Sequence, residues 1–260
     1  MVKLAANLSM MFNEFEFLDR FSKASESGFK GVEYLFPYDY GKDHLLNLLG
    51  ENGLVQVLHN LPAGDWDSGE RGIACHPDRV GEFKEGVELA VEYASTLGCP
   101  QVNCLAGILP GDISEGEAHK TFVDNLRYAA PIFKNKGIKL IIESINTIDM
   151  PGFFLNNTEQ AKGILNDVGS DNLFLQYDIY HMQIMEGDLA RTVESNLKDI
   201  SHMQLADNPG RHEPGTGEIN YEFLFQFIDE IGYEGWIGCE YIPAATTLEG
   251  LSWIDPYIKT

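Results

Sequence analysis

Eight short apolar stretches recur along the chain, and longer amphipathic segments separate them. The stretches cover residues 2–9, 30–36, 54–61, 100–107, 138–146, 172–180, 200–207 and 235–243. Several of them are apolar at successive positions rather than at alternate ones, which is typical of strands that are buried on both faces of a parallel sheet. The pattern therefore predicts eight buried parallel strands.

The segments between these stretches carry apolar residues at helical spacing. One apolar stripe comprises Val87, Ala90, Val91, Ala94 and Leu97. Gly98 follows this stripe, so we expect the helix to end there. Eight strand–helix pairs in 260 residues predict an α/β fold, a (β/α)8 TIM barrel that forms one domain over residues 1–260. A doubly wound sheet is disfavoured, because the first strand runs into N-L-S-M-M-F and not into a Gly-rich phosphate-binding turn.

Composition and charge narrow the range of partners. The chain has 18 basic and 40 acidic residues and a formal net charge of −22, which repels phosphate backbones and anionic membrane surfaces. No apolar run approaches the roughly 18 residues that span a bilayer. Cys75, Cys99, Cys104 and Cys239 form no C-x-x-C pair, and the N-terminus is typical of a first strand rather than of a signal peptide. We expect a cytoplasmic protein with no nucleic-acid or membrane partner.

Polar residues stand near the end of almost every predicted strand. They are Asn7, Glu33, His59 with Asn60, Asn103, Glu143, Asp178 with His181, Gln204 and Glu240. Buried polar groups are costly unless they are paired, and closure of a barrel brings all its strand ends to one mouth. The series therefore predicts a functional site at that mouth.

The sharpest subset lies on predicted strands five to eight: Glu143, Asp178, Gln204 and Glu240. Three carboxylates and one amide oxygen suit a hard divalent ion, Mg²⁺ or Mn²⁺, better than they suit zinc. Without an ion, three carboxylates this close would repel one another and take up protons. The alternative is that these are separate rim residues, each with its own hydrogen-bond partner.

Other candidates are assigned to substrate binding. They are Asn7, His59, Asn103, His181, Arg211 and His212. His181 follows Asp178 by three residues and could orient a ligand, bind substrate or act as a second metal ligand. The long loops 62–79 and 207–220 follow strands three and seven, and we expect them to close over the substrate. Arg211, in the second loop, is the first candidate for a substrate carboxylate.

With these residues in place, the chain resembles the hydroxypyruvate isomerase family of the xylose isomerase-like barrels. The resemblance rests on AANLSMMF (5–12), GVEYLFPYDY (31–40), GERGIA (69–74), RHEP (211–214), GEINY (217–221) and GYEGWIGCEY (232–241). It implies a divalent-metal site on Glu143, Asp178, Gln204 and Glu240, with Glu143 and Glu240 as the two catalytic glutamates. The implied reaction interconverts hydroxypyruvate and tartronate semialdehyde by proton transfer through an enediol. The substrate would be a small hydroxy or oxo acid. The resemblance leaves open whether the protein forms a homo-oligomer.

Four alternatives remain beside this expectation. A sister activity, 2-oxo-tetronate isomerisation, shares the same motifs. Ketose 3-epimerases have His at the third metal position, where Gln204 stands here, and apurinic endonucleases have His where Asn103 stands. The net charge of −22 also argues against a nuclease. A non-enzymatic sugar-acid binding protein would not need two carboxylates that flank one site.

Overall fold

Eight parallel strands close into a barrel in chain order. The structure is a computed structural model that describes residues 1–258, so the last two residues of the predicted domain lie outside the described part. The strands are β1 (Lys3–Asn7), β2 (Gly31–Glu33), β3 (Val55–Asn60), β4 (Gln101–Cys104), β5 (Lys139–Glu143), β6 (Leu173–Asp178), β7 (Ile200–Leu205) and β8 (Trp236–Cys239). Each lies within one of the eight apolar stretches, and the predicted (β/α)8 barrel is confirmed.

Helices surround the barrel. They are α1 (Arg20–Glu26), α2 (Lys42–Glu51), α3 (Val80–Leu97), α4 (Glu115–Lys134), α5 (Thr158–Val168), α6 (Ile179–Met185), α7 (Leu189–Asn196), α8 (Tyr221–Glu230), α9 (Thr247–Gly250) and α10 (Asp255–Ile258). Helix α3 ends at Gly98, whose φ of 65° closes the last turn, as the sequence predicts. In the part of the chain from 1 to 258, no helix combines the length and apolarity needed to cross a bilayer.

The apolar core has two parts. The larger part lies between the outer faces of the strands and the helices. The smaller part, which we call the barrel plug, comprises Ala5, Val57, Leu58 and Ile141. Side chains two positions apart in a strand share a face, so Asn7 and Glu143 point the same way as Ala5 and Ile141. The polar side chains of the barrel interior therefore lie next to the barrel plug, on the side of the carboxyl ends of the strands.

Candidate active site

Three buried carboxylates and one imidazole meet at the mouth of the barrel. Glu143 ends β5, Asp178 ends β6, Glu240 directly follows β8, and His181 lies in the first turn of α6. One ligand atom from each lies within 4.8 Å of the others. We call Glu143, Asp178, His181 and Glu240 the mouth cluster. The alignment of β5 to β8 brings the strand ends to one level, with Glu143 opposite Gln176 and Asp178 opposite Gln204.

Repulsion and burial shift the titration of this cluster. Burial, followed by the charges of Glu240 and Asp178, holds the pKa of Glu143 well above its ordinary value. Burial also raises the pKa of Glu240 to about 8, although Arg211 works in the opposite direction. Packed this closely, the carboxylates take up protons unless a cation is present. The site is therefore built to receive positive charge.

Asp178 shows where that charge fits. Its Oδ1 atom caps α6 and accepts the backbone N–H groups of Tyr180 (2.7 Å) and His181 (3.2 Å). Its Oδ2 atom is buried and has no hydrogen-bond partner within residues 1–258. A buried, unpartnered carboxylate oxygen beside two more carboxylates is a natural ligand for a hard divalent cation. The residues present thus fit a metal ion, and the buried acidic and histidine cluster could hold one.

Gln204 lies beside Glu240, as predicted, but with its amide turned. Its Nε2 atom donates to Glu240 Oε1 (3.2 Å) and to Glu33 Oε1 (2.8 Å). Its oxygen accepts from Gln176 Nε2 at 2.5 Å. Ligation of a metal through that oxygen would require the amide to rotate and leave Gln176. The predicted set of four oxygen ligands is therefore assembled only in its three carboxylates.

Arg211 places a guanidinium over the mouth cluster. Its Nη2 atom donates to Glu240 Oε2 at 2.6 Å and lies 4.0 Å from Asp178 Oδ2, and the group stands 5.3 Å from the centre of the Tyr180 ring. Burial alone would lower the pKa of Arg211, but the neighbouring carboxylates, Glu240 first, outweigh it and raise the pKa. Arg211 therefore stays charged where an anionic substrate would enter.

Glu33 is a functional residue that the sequence flagged without assigning a role. Its carboxylate is fully buried and accepts from Asn7 (3.0 Å), Gln204 (2.8 Å) and His202 (2.7 Å). Asn7 also donates to Glu240 Oε1 at 3.1 Å, so two amide groups bridge Glu33 and Glu240. Glu33 thus holds the donors that orient Glu240. We call Glu33, Asn7, Gln204 and His202 the support network.

One sequence signal for the support network is Gly238, a glycine inside a buried strand. A Cβ atom at Gly238 would lie 2.2 Å from Glu33 Oε1 and 2.3 Å from Glu33 Oε2. Only glycine leaves room for the carboxylate at this point of β8. A glycine two residues before Glu240 on a buried strand is visible in the sequence, but its partner on β2 is not.

The remaining predicted residues divide between the site and other regions. Asn103 Nδ2 donates to Glu143 Oε2 at 2.9 Å, so Asn103 belongs to the site. His59 does not join it: its ring contacts Tyr38, Gln56 and the backbone of Ala90 in α3, on the helix side of β3. Burial there lowers the pKa of His59 to about 3. The structure therefore places His59 outside the mouth cluster, and substrate binding by His59 stays a prediction.

His212, which is predicted to bind substrate, lies between two loops. Its Nδ1 atom hydrogen-bonds the carbonyl oxygen of Ile242 at 2.7 Å, and its own carbonyl accepts from Asp207 N at 2.8 Å. These bonds tie the loop after β7 to the chain after β8. His212 therefore supports the loop that carries Arg211, and the structure places it outside the mouth cluster.

The loop 207–220 is tied down at its first residue. The buried carboxylate of Asp207 accepts backbone N–H groups from Asn208 (2.9 Å), Gly215 (2.9 Å), Gly217 (2.9 Å) and Ile219 (3.0 Å). Four such bonds from one side chain fix both ends of the loop. We therefore revise the expectation of a closing lid here to that of a pre-formed loop that presents Arg211.

Known proteins share this barrel along its length. The pattern of the xylose isomerase-like TIM barrel family matches residues 21–257. The chain belongs to that family. Among its curated members, the hydroxypyruvate isomerase of Escherichia coli is 54% identical over 257 residues, which cover 99% of this chain and 100% of the relative. The 2-oxo-tetronate isomerase of Cupriavidus necator is 46% identical and is covered over 99% of each chain.

Solved structures of the family include one that is closely similar. It is the crystal structure of a protein named AP endonuclease, family 2, from Brucella melitensis, with a TM-score of 0.97 and 45% identity, and the match covers 99% of this chain and 100% of that chain. The two curated relatives are isomerases by name, and the prediction of a hydroxypyruvate isomerase-like enzyme is confirmed. Likeness to a protein named as a nuclease therefore does not by itself assign DNA chemistry to this chain.

Proposed function

We propose that this protein interconverts hydroxypyruvate and tartronate semialdehyde. The observation that carries the proposal is the pair Glu143 and Glu240, buried together at the mouth of the barrel with ligand atoms within 4.8 Å. The full-length identity of 54% to a hydroxypyruvate isomerase supports the same reaction. A binding protein would have no need for two buried carboxylates whose pKa values are both raised by burial.

The three carboxylates of the mouth cluster would hold one divalent ion, with Mg²⁺ and Mn²⁺ favoured because all three ligands are hard oxygens. Gln204 would join them only after its amide turns away from Gln176. When bound, the ion supplies Lewis-acid stabilisation of the negative charge that develops on the substrate oxygens during proton transfer.

The reaction moves one proton between adjacent carbons. Hydroxypyruvate has a ketone at C2 and a hydroxyl at C3, so removal of a C3 proton gives an enediolate. Return of a proton at C2, with the hydroxyl proton passing from O3 to O2, gives the aldehyde. Glu143 and Glu240 would take and return the carbon-bound proton as general base and acid. Arg211 would leave Glu240 Oε2 to pair with the substrate carboxylate, which frees that oxygen for chemistry.

A second candidate substrate is a 2-oxo-tetronate, since the Cupriavidus relative is 46% identical and named for that activity. The decisive experiment compares kcat/KM for hydroxypyruvate and for the 2-oxo-tetronates, with the enzyme stripped by chelator and then resupplied with Mg²⁺ or Mn²⁺. We expect the highest value for hydroxypyruvate and a loss on chelation. A higher value for the four-carbon acids would move the assignment to the sister reaction. Cleavage of abasic-site DNA in the same preparations would overturn both assignments.

Proton transfer through an enediol also predicts exchange with solvent. In D₂O, we expect deuterium at C2 of tartronate semialdehyde formed from hydroxypyruvate, measured by mass spectrometry at early conversion. A carboxylate base holds the abstracted proton as an O–H group, and an O–H proton can exchange with solvent before it returns to carbon. Complete retention of the substrate hydrogen would indicate a hydride shift instead.

A further inference from the structure

One ring nitrogen of His181 lies near the three carboxylates of the mouth cluster, and a buried asparagine contacts the other. Asn146 is fully buried in the segment after β5. Its Oδ1 atom accepts the backbone N–H groups of Ile148 (3.0 Å) and Asp149 (2.8 Å). Because two backbone donors hold the oxygen, the orientation of the Asn146 amide is fixed, and its nitrogen must point the other way.

That nitrogen makes two contacts. Asn146 Nδ2 donates to Asp149 Oδ2 at 3.0 Å and lies 2.7 Å from His181 Nδ1. An amide nitrogen carries hydrogens and accepts none, so His181 Nδ1 must be the acceptor. A doubly protonated ring would place an N–H group directly against the amide hydrogens. The contact therefore selects a neutral imidazole with its proton on Nε2.

The protonated nitrogen is the one that faces the site. His181 Nε2 lies 3.6 Å from Asp178 Oδ2, which is beyond hydrogen-bonding distance. A nitrogen that carries hydrogen has no lone pair for a metal. His181 thus lies close to the three carboxylates of the mouth cluster but is not prepared to bind a metal ion together with them.

We infer that Asn146 is a positioning residue that holds His181 as the Nε2–H tautomer, so that His181 donates a hydrogen bond to a substrate oxygen and is not a metal ligand. The substrate part of this inference rests on the proposed function. The acceptor would be the ketone or aldehyde oxygen, on which negative charge grows as the carbon-bound proton leaves. Asp149 completes the arrangement, since its Oδ2 atom accepts from both Asn146 and Tyr180 (2.8 Å).

The first test reads the tautomer directly and requires no activity. Long-range ¹H–¹⁵N correlation spectra of the histidine-labelled whole protein distinguish a protonated from an unprotonated ring nitrogen, and the spectrum of His181→Gln assigns the signals. We expect His181 to show a protonated Nε2 and an unprotonated Nδ1, both before and after saturation with Mg²⁺. A protonated Nδ1, or loss of the Nε2 proton when Mg²⁺ binds, would overturn the inference.

The second test replaces the hydrogen-bond donor that faces His181 Nδ1 by an acceptor. The double variant Asn146→Asp with Asp149→Asn keeps the net charge and the Asn–Asp hydrogen bond, but presents a carboxylate oxygen to the ring. We expect His181 to change to the Nδ1–H tautomer and kcat to fall about 10²-fold, the usual effect of losing one donor to a developing oxyanion. The affinity for Mn²⁺, measured by calorimetry, should not fall.

The outcomes separate the inference from the proposed function. An unchanged kcat in a double variant whose spectrum shows the Nδ1–H tautomer would overturn the inference, because the hydrogen bond from Nε2 would then be dispensable. If the unmodified protein has the Nε2–H tautomer but does not isomerise hydroxypyruvate, the proposed function fails while the role of Asn146 stands. Should the double variant misfold, Asn146→Ser, which removes the amide donor, serves as the second variant. A mixed tautomer population in its spectrum would support the inference, and an unchanged Nε2–H signal would contradict it.

Discussion

At the residue scale, the two glutamates of the mouth cluster have the same side chain but different surroundings. Among the residues that the structure describes, Glu143 is contacted by neutral amide donors alone, from Asn103 and Gln176. Glu240 receives two amide donors at Oε1 and the Arg211 guanidinium at Oε2. Charged donors favour the ionised form, so Glu240 is the better supported carboxylate and Glu143 the one that takes up a proton first. Under the proposed function, this difference of environment would let the two glutamates serve different roles.

Replacement of either glutamate by glutamine tests their role. In Glu143→Gln and Glu240→Gln, the side chain keeps its size but cannot carry the proton. Under the proposed function each glutamate would also bind the ion, so we expect kcat to fall by more than the roughly 10²–10⁴-fold typical of one acid–base group. Steady-state kinetics and circular dichroism measure turnover and fold. Glu85→Gln, on the exposed side of α3, is the control. Full activity in either variant would remove that residue from the mechanism.

Gly238→Ala tests the support network without touching a catalytic group. The new methyl group would overlap the Glu33 carboxylate and displace the amides that orient Glu240. We expect kcat to fall at least about tenfold with little change in KM, and stability to fall by about 1–3 kcal/mol from overpacking. The matched control is Gly163→Ala in α5, where a Cβ meets nothing within 4 Å and helix propensity favours alanine. Equal kinetics in both variants would show that the network does not position Glu240.

At the element scale, the sequence predicted more of the fold than of the loops. Continuous apolar runs located all eight strands, because a parallel sheet buried on both faces leaves that mark. The same logic placed Glu143, Asp178 and Glu240 together. It could not show that Gln204 turns its nitrogen to Glu240, because the partners of Gln204 lie on other strands. Nor could it show that His59 faces α3, because this depends on how β3 packs against that helix. In the sequence, nothing distinguishes Asp207 from the other acidic loop residues.

Asp207→Asn tests whether this loop is held rather than mobile. An asparagine amide has one acceptor oxygen and places its own hydrogens against backbone N–H groups, so at least one buried donor loses its partner at about 1–3 kcal/mol. We expect a lower Tm, faster hydrogen exchange at Gly215, Gly217 and Ile219, and a raised KM because Arg211 is less well placed. Unchanged exchange at these amides would indicate that the loop is held by other contacts. Asp67→Asn, in the exposed part of the other long loop, is the control.

At the scale of the whole molecule, negative charge is both abundant and concentrated. The net charge of −22 surrounds a mouth that holds three buried carboxylates. Such a field attracts cations from solution and repels phosphate backbones, and under the proposed function Arg211 would be the group that admits the anionic substrate. Metal binding and protonation therefore compete for the same oxygens.

This competition predicts a pH-dependent effect of metal on stability. The raised pKa values of Glu143 and Glu240 mean that the folded, metal-free protein keeps protons that the unfolded chain has lost above about pH 4.5. Their contribution to stability is thus present in acid and is lost as pH rises toward about 8. A bound ion removes the repulsion, so the Tm difference between Mn²⁺-loaded and chelator-treated protein should grow from about pH 5 to about pH 8.

Differential scanning calorimetry across that range measures the effect, and Glu143→Gln should flatten it. A Tm difference that stays constant or shrinks with rising pH would show that the ion does not displace protons from these carboxylates.

The support network also links the beginning of the chain to its end. Asn7 and Glu240 are separated by 233 positions, yet their side chains share a hydrogen bond at the seam where β1 meets β8. During synthesis on the ribosome, Asn7, Glu33 and Gln204 are all added to the chain before Glu240. Because Glu240 directly follows β8, the proposed active site is complete only when β8 pairs with β1. During refolding, we expect turnover to return when β8 pairs with β1, and not when the helices form. The recovery of activity would therefore report the closure of the barrel.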